Sequence, residues 1–306
     1  MRAAVLEEVG TIPVFTDFKE PEEGDGRVAA EVLAAGLNPV DLFMAAGRAG
    51  PVDVPRVVGL EGVARVGEER GYFNGVPSPF GSMAQFAPID PSATYPVPAD
   101  LAPGLAVAIG IAGLAAWVPL ETRARLQRGE SVLVLGASGV VGQLAVQAAK
   151  LLGAGRVVAA ARHRPTLEAL RERGADEVVE LGSGDDAEAL KRAAGDGYDV
   201  VLDAVYGPVL EAALPATAVG ARVVTVGAGA GATATIAIGD LYGRSLMGHG
   251  GMTVPDDVRR SAYERMARHA LAGELTVDVR RLPLSEIEEA WRVQAQGAHQ
   301  KLVLVP

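Results

Sequence analysis

Between residues 131 and 152 the sequence reads SVLVLGASGVVGQLAVQAAKLL, and this stretch constrains the fold more than any other. Ser131–Leu135 is a short apolar run with the length and β-branching of a buried strand. Gly136-Ala137-Ser138-Gly139-Val140-Val141-Gly142 follows without a break. Then Val141, Leu144, Ala145, Ala148 and Leu152 recur at helical spacing, with Gln143, Gln147 and Lys150 on the opposite face. A strand running through a glycine turn into a helix brings backbone N–H groups to the positive end of the helix dipole. That is a place for a pyrophosphate. The first spacing is G-x-x-G, not G-x-G, so the glycines alone also fit a tight turn without a ligand. The flanking strand and helix favour dinucleotide binding.

The pattern continues in the same sense. Strands are predicted over residues 156–161, 177–181, 199–204 and 222–226. Helices are predicted over 165–173, 187–194 and 207–214, the first with Pro165 in its first turn and Gly174 just past its end. Such alternation is that of a doubly wound parallel sheet, an α/β fold of the Rossmann type. A helix over 255–272, a strand over 276–279, a helix over 284–296 and a strand over 301–305 complete the chain. The first hundred residues differ. Short strand-like runs at 1–6, 11–15 and 27–34 are punctuated by many Gly and Pro, which reads as a β-rich, loop-rich domain. Residues 103–120 are a helical entry into the second domain.

Composition narrows the function classes. A length of 306 residues suggests two domains, and 49% hydrophobic with 22% charged residues is ordinary for a soluble globular chain. No uninterrupted apolar run reaches the roughly 18 residues of a membrane span. Acids follow the first apolar run too closely for a signal peptide, and the absence of cysteine makes a cytoplasmic location the expectation. With no cysteine, disulfides and thiolate metal sites are excluded, and the four histidines share no ligand spacing, so no metal is expected. A net charge of −10 without a basic run argues against nucleic-acid and membrane partners. No G-x-S-x-G elbow is present. Ser138 is better placed to bond phosphate or backbone than to attack a carbonyl.

Four pieces of sequence resemble one family. They are Ala35-Gly-Leu-Asn38-Pro-Val-Asp41, Gly59-Leu-Glu-Gly62, the loop 136–142 with its helix, and Leu282-Pro-Leu-Ser-Glu-Ile-Glu-Glu-Ala290 followed by Lys301-Leu-Val-Leu. In this order they resemble the zinc-less quinone oxidoreductase and enoyl reductase branch of the medium-chain dehydrogenase/reductase superfamily. The resemblance implies a GroES-like, β-rich substrate domain over residues 1–108, a Rossmann domain over 109–271 inserted into it, and a return to the first domain over 272–306. It also implies a small-molecule substrate bound in the cleft, and a homodimer. Two departures stand out. The segment between Val66 and Gly81 is short, and Phe43 stands where relatives carry a tyrosine, which removes a phenolic donor.

Hydride transfer needs few side chains, because the cofactor carries the chemistry and the protein supplies orientation and charge stabilisation. The candidate catalytic residues are Asn38, as a donor to the carbonyl oxygen that gains charge, and Asp41 beside it. Each has an ordinary alternative: Asn38 as a turn residue before Pro39, and Asp41 as a helix cap. Leu42, Phe43, Met44 and Phe73 are candidates for apolar substrate walls. Residues 136–142 are expected to hold the pyrophosphate. Ala161, Arg162 and Arg164 follow the second strand, where an acid would bind the ribose of NAD and arginines would grip the extra phosphate of NADPH. The two arginines also fit plain solvated loop charges, but with no acid at this point NADPH is the expected cofactor. Gly227, Ala228, His249 and Lys301 complete the expected binding set; the resemblance puts the His249 loop near the nicotinamide, and His249 fits an ordinary loop histidine equally well. A reductase for one enoyl or polyketide-derived intermediate, and an NADPH-binding protein without turnover, are the alternatives.

Overall fold

The computed structural model describes residues 1–306, which divide into two compact units. The first comprises Met1–Ile111 with Tyr263–Pro306, and the second Ala112–Ala262. No helix is long and apolar enough to cross a membrane.

The first unit is built around the ten-residue strand Val28–Leu37. A register shift between Val32 and Ala34 lets its two halves serve different partners. The first half pairs with Phe86–Ile89, and the second with Glu61–Val66 on one side and Lys301–Val305 on the other. Because Leu302 lies opposite Leu37 in an antiparallel register, the last strand ends up beside Asn38. Leu6, Leu37, Phe73, Met83, Ile287, Trp291, Leu302 and Leu304 form the core between these elements. Each such side chain, fully buried, contributes about 1.5–3 kcal/mol relative to exposure. Glu61–Val66 and Glu69–Asn74 are joined by the two residues Gly67 and Glu68, with Gly67 at φ +63°. That turn is how the shortened segment after Val66 is accommodated.

The second unit carries a six-stranded parallel sheet in the order Glu177–Glu180, Arg156–Ala161, Ser131–Leu135, Tyr198–Asp203, Thr217–Thr225, Ser245–Gly248. The winding reverses between Ser131–Leu135 and Tyr198–Asp203, which are hydrogen-bonded neighbours. Val132–Leu135 have no solvent exposure, as a central strand covered on both faces requires.

Two expectations are corrected and one gains detail. The strand placed at 276–279 lies at Val279–Pro283, paired in parallel with Lys301–Val305. Its two arginines hid it from an apolar pattern. The helical entry read over 103–120 is two helices, Pro103–Ala108 and Ile111–Val118, with the Ile111 N–H at the break donating to the Glu61 carboxylate. Gln143 and Gln147, expected on a solvated face, are buried. The Gln143 amide donates to the Ser138 carbonyl at 3.0 Å, so it braces the glycine loop from below.

Candidate active site

Asn38, Asp41, Glu61 and Lys301 meet in the first unit, and none is more than 4% exposed. Asn38 immediately precedes the helix Pro39–Ala45, whose first residue is a proline with φ preset for helix entry. The Asn38 backbone N–H donates to Asp41 Oδ2 at 2.8 Å, and the Leu60 N–H donates to Oδ1 at 3.1 Å. Asp41 thus clamps the start of its own helix to the strand-forming segment that follows Gly59. Glu61 is fully satisfied. Its Oε1 accepts from Lys301 Nζ at 2.7 Å and Asn38 Nδ2 at 2.8 Å, and its Oε2 from the Tyr72 hydroxyl at 2.8 Å and the Ile111 N–H at 2.6 Å. Lys301 Nζ also donates to Asn38 Oδ1 at 2.6 Å.

This geometry fixes which way the amide faces. An ammonium only donates, so it must meet Oδ1. A carboxylate only accepts, so it must meet Nδ2. A flipped amide would lose both bonds, and one Nδ2 hydrogen is left for a further acceptor. Glycine makes the room: a Cβ at Gly36 would stand 2.6 Å from Glu61 Oε1 and 3.0 Å from Lys301 Nζ. Removing one member of a buried ion pair of this kind costs about 3–5 kcal/mol, since the other charge is left unpaired. Burial pushes the Asp41 carboxyl up to about 7, with the Glu61 charge adding to it. The backbone donors and Lys301 pull the other way. Burial and Glu61 likewise hold the Tyr72 hydroxyl well above its ordinary value.

Two expectations about this cluster change. Lys301, expected among the cofactor contacts, is sealed in the first unit with its ammonium on Glu61 and Asn38. Asp41, expected to be catalytic, has both carboxylate oxygens on backbone N–H groups, which is the capping alternative. Phe73 is core rather than wall, while Phe43 is 47% exposed. Glu61 was missed as a site residue. The available signal was a lone carboxylate opening one apolar strand and a lone ammonium opening another.

In the second unit, strand register gathers the expected cofactor residues at one edge. Ala160, Leu135, Asp203, Thr225 and Gly248 stand side by side across the sheet. Gly136, Ala161 and Arg162, Gly227 and Ala228, and His249 therefore all leave the sheet at the same carboxyl-terminal edge. Gly136 has φ +76°, and its N–H and that of Ala137 both donate to the Ala160 carbonyl. The helix Val140–Leu151 starts after Gly139 without a side-chain cap. A Cβ at Gly139 would meet nothing nearer than 3.5 Å, whereas one at Gly142 would stand 2.5 Å from Ala137 Cα. One glycine keeps space open in front of the helix, and the other lets the helix lie against the loop.

Arg162 and Arg164 are exposed, and Arg164 is shared between Glu180 at 3.3 Å and Glu168 at 3.9 Å. Pairs this exposed contribute about 0–1 kcal/mol and do not hold the guanidinium against an incoming phosphate. The His249 N–H donates to the Thr225 carbonyl at 2.9 Å. Burial, and then the Arg123 charge, lower the pKa of its ring, which favours the neutral imidazole. An uncapped helix start and an open glycine position leave backbone donors for a phosphate, and two exposed guanidiniums follow the neighbouring strand. No group of three or more His, Asp or Glu side chains is placed to hold a metal ion.

Residues 140–268 match the family model described as zinc-binding dehydrogenase. Among solved structures, the quinone oxidoreductase of Thermus thermophilus, determined also as its NADPH complex, is 30% identical over 100% of each chain with a TM-score of 0.87. A probable oxidoreductase from Mycobacterium abscessus is 28% identical over 100% of this chain and 99% of the other, with a TM-score of 0.85. The mycocerosic acid synthase-like polyketide synthase of Mycobacterium tuberculosis is 31% identical over 70% of this chain. The chain spans only 10% to 14% of the length of the curated relatives it matches. On these matches and on its fold, the chain belongs to the zinc-less quinone oxidoreductase and enoyl reductase branch of the medium-chain dehydrogenase/reductase superfamily.

Proposed function

We propose that this protein transfers hydride from NADPH to a conjugated carbonyl, a quinone or an enone. The observation that carries the reading is the Asn38 amide, buried and held in one orientation by Lys301 and Glu61. The bound nicotinamide supplies the hydride. Residues 136–142 hold the pyrophosphate, with Gln143 bracing the loop at the Ser138 carbonyl. Arg162 and Arg164 take the 2′-phosphate. When hydride reaches the far carbon of a conjugated system, negative charge appears on the carbonyl oxygen. The remaining Asn38 Nδ2 hydrogen is the donor for that oxygen. Conjugation spreads the charge, so one preoriented neutral donor suffices, and solvent supplies the proton that completes the reduction.

A simple alcohol is a poor substrate for such a site. Its hydroxyl must be acidified before hydride can leave, and in relatives with zinc the metal does this. The name of the mycobacterial polyketide synthase favours a second reading, reduction of an enoyl thioester during polyketide assembly. We also propose that the working form is a homodimer.

The test is consumption of NADPH with a simple quinone, an enone and an enoyl thioester, alongside primary alcohols with NADP. Turnover is expected with a conjugated acceptor and not with alcohols. Asn38→Ala should lower kcat by roughly 10- to 1,000-fold with NADPH affinity nearly unchanged. Alcohol oxidation with inert enones and quinones would overturn the reading. Tight NADPH binding without turnover on any acceptor would mark a binding protein instead. For cofactor choice, NADPH should bind at least about tenfold tighter than NADH, and the Arg162→Ala/Arg164→Ala double variant should lose that margin. Equal affinities in the wild type, by titration, would rule the arginines out.

A further inference from the structure

Asp203 ends the strand Tyr198–Asp203 where the winding of the sheet reverses, and it has no solvent exposure. Its Oδ1 accepts the N–H groups of Val205 at 2.9 Å and Tyr206 at 2.8 Å, and its Oδ2 accepts the Thr225 hydroxyl at 3.0 Å. These bonds lock a turn in which Tyr206 has φ 57° and ψ −163°. That region of backbone space is occupied essentially by glycine alone, because the Cβ of any other residue is crowded there. Gly207, the next residue, also has a positive φ, of 61°. The chain thus uses glycine at 207 and keeps a large aromatic at 206, where glycine would relieve the crowding.

The turn lies inside the candidate cofactor edge. Val205 Cγ1 is 2.7 Å from where a Gly136 Cβ would stand, and the Ala204 carbonyl oxygen is 2.6 Å from where a Gly227 Cβ would stand. The Ala230 N–H donates to the Val205 carbonyl at 2.7 Å. Residues 203–207 therefore form the floor between the loop 136–142 and the loop that follows Thr225. Ligands of wound parallel sheets bind at this reversal point. Tyr206 is half-buried and packs against the core of the sheet.

We propose that Tyr206 is a dinucleotide-contacting residue, its ring a wall of the cofactor crevice held in place by the Asp203-locked turn. A ring fixed before binding gives contact area without an ordering cost at the moment of binding. The inference rests on the reading of this edge as the cofactor site. It accounts for an aromatic residue in a glycine conformation, which core packing alone would not require at this position.

Two variants of the full chain, Tyr206→Ala and Tyr206→Gly, test it. NADPH affinity is measured by fluorescence titration, and the melting temperature is measured without cofactor. Both variants should bind NADPH at least tenfold more weakly than the wild type. The glycine variant should melt above the alanine variant by roughly 2 °C or more, since the two differ only in the crowded Cβ. Unchanged NADPH affinity in Tyr206→Ala would overturn the proposal and leave the ring as core packing. Equal melting of the two variants would remove the strain on which it stands. If the wild type itself binds neither NADPH nor NADH, the cofactor reading fails, and this inference with it.

Discussion

Asp41 shows how a single buried group ties stability to pH. Burial raises its carboxyl from 3.8 to about 7 in the folded protein. Between those values the folded chain keeps a proton that the unfolded chain has released. Folding then takes up a proton, and stability falls as pH rises. The contribution is complete below about pH 4 and is lost as pH passes about 7, a span of about 4 kcal/mol in all. Asp41→Asn retains an acceptor oxygen and cannot ionise. The unfolding free energy of the variant minus that of the wild type, from urea melts, should therefore rise by roughly 2–3 kcal/mol between pH 5 and pH 8. Other titrating acids cancel in this difference. A difference that stays flat would mean that Asp41 is already ionised in the folded state at pH 5. At this scale the sequence was legible where a residue acts locally. Asn38 before Pro39 and Asp41 three residues later carry a helix start in their order. It was illegible where the partner is remote, since nothing local in Lys301 points to Glu61, 240 residues away. Gln143 and Gln147 misled for a related reason: their polar face on an isolated helix is covered by neighbours, and Arg173, just past the end of the helix Arg164–Glu172, reaches Gln143.

Elements were read best where chemistry and periodicity agree. Ser131–Leu135 and the helix beginning at Val140 stand where the glycine run required them. Ser245–Gly248 went unrecognised because SLMG is too short to show alternation and lacks β-branched residues. Its strand character comes from pairing with Thr217–Thr225. The glycine loop supplies a prediction that separates two glycines of one motif. At Gly142 an added Cβ would strike the backbone of residues 136 and 137, which cannot swing aside as a side chain can. At Gly139 it would make only an ordinary contact, on a backbone with φ −78°. Gly142→Ala should lower the melting temperature by several degrees and weaken NADPH binding at least about tenfold, as the helix is pushed off the loop. Gly139→Ala should leave the melting temperature within about 2 °C of the wild type. Calorimetry on both variants decides it, and equal melting would show that the close approach at Gly142 is not needed.

At the scale of the whole molecule, the open question is what covers the last strand of the parallel sheet. Ser245–Gly248 has a neighbour on one side only. An edge strand presents a row of backbone donors and acceptors ready to pair with another chain. The residues around it are not those that normally blunt such an edge. Val219, Tyr242 and Met252 are 85%, 69% and 89% exposed, and Ile238 is 65% exposed. Val219 and Tyr242 belong to one surface, because the Gly220 N–H donates to the Gly243 carbonyl. Scattered apolar residues need no explanation, but exposed ones close in sequence to an unpaired strand are what our proposal of a homodimer would use. A second copy of the same chain is the economical occupant. Two identical strands related by a two-fold axis run antiparallel and satisfy each other's edge groups, and the same apolar residues then meet from both sides. The expected mass in solution, by light scattering during gel filtration at micromolar concentration, is that of a dimer. Tyr242→Glu with Met252→Glu places charges of one sign face to face across the axis and should yield monomers. Neither substitution touches the glycine loop, so the variant should still bind NADPH. A wild type that elutes as a monomer at tens of micromolar, or a double variant that remains dimeric, would show that this edge is not where the copies meet.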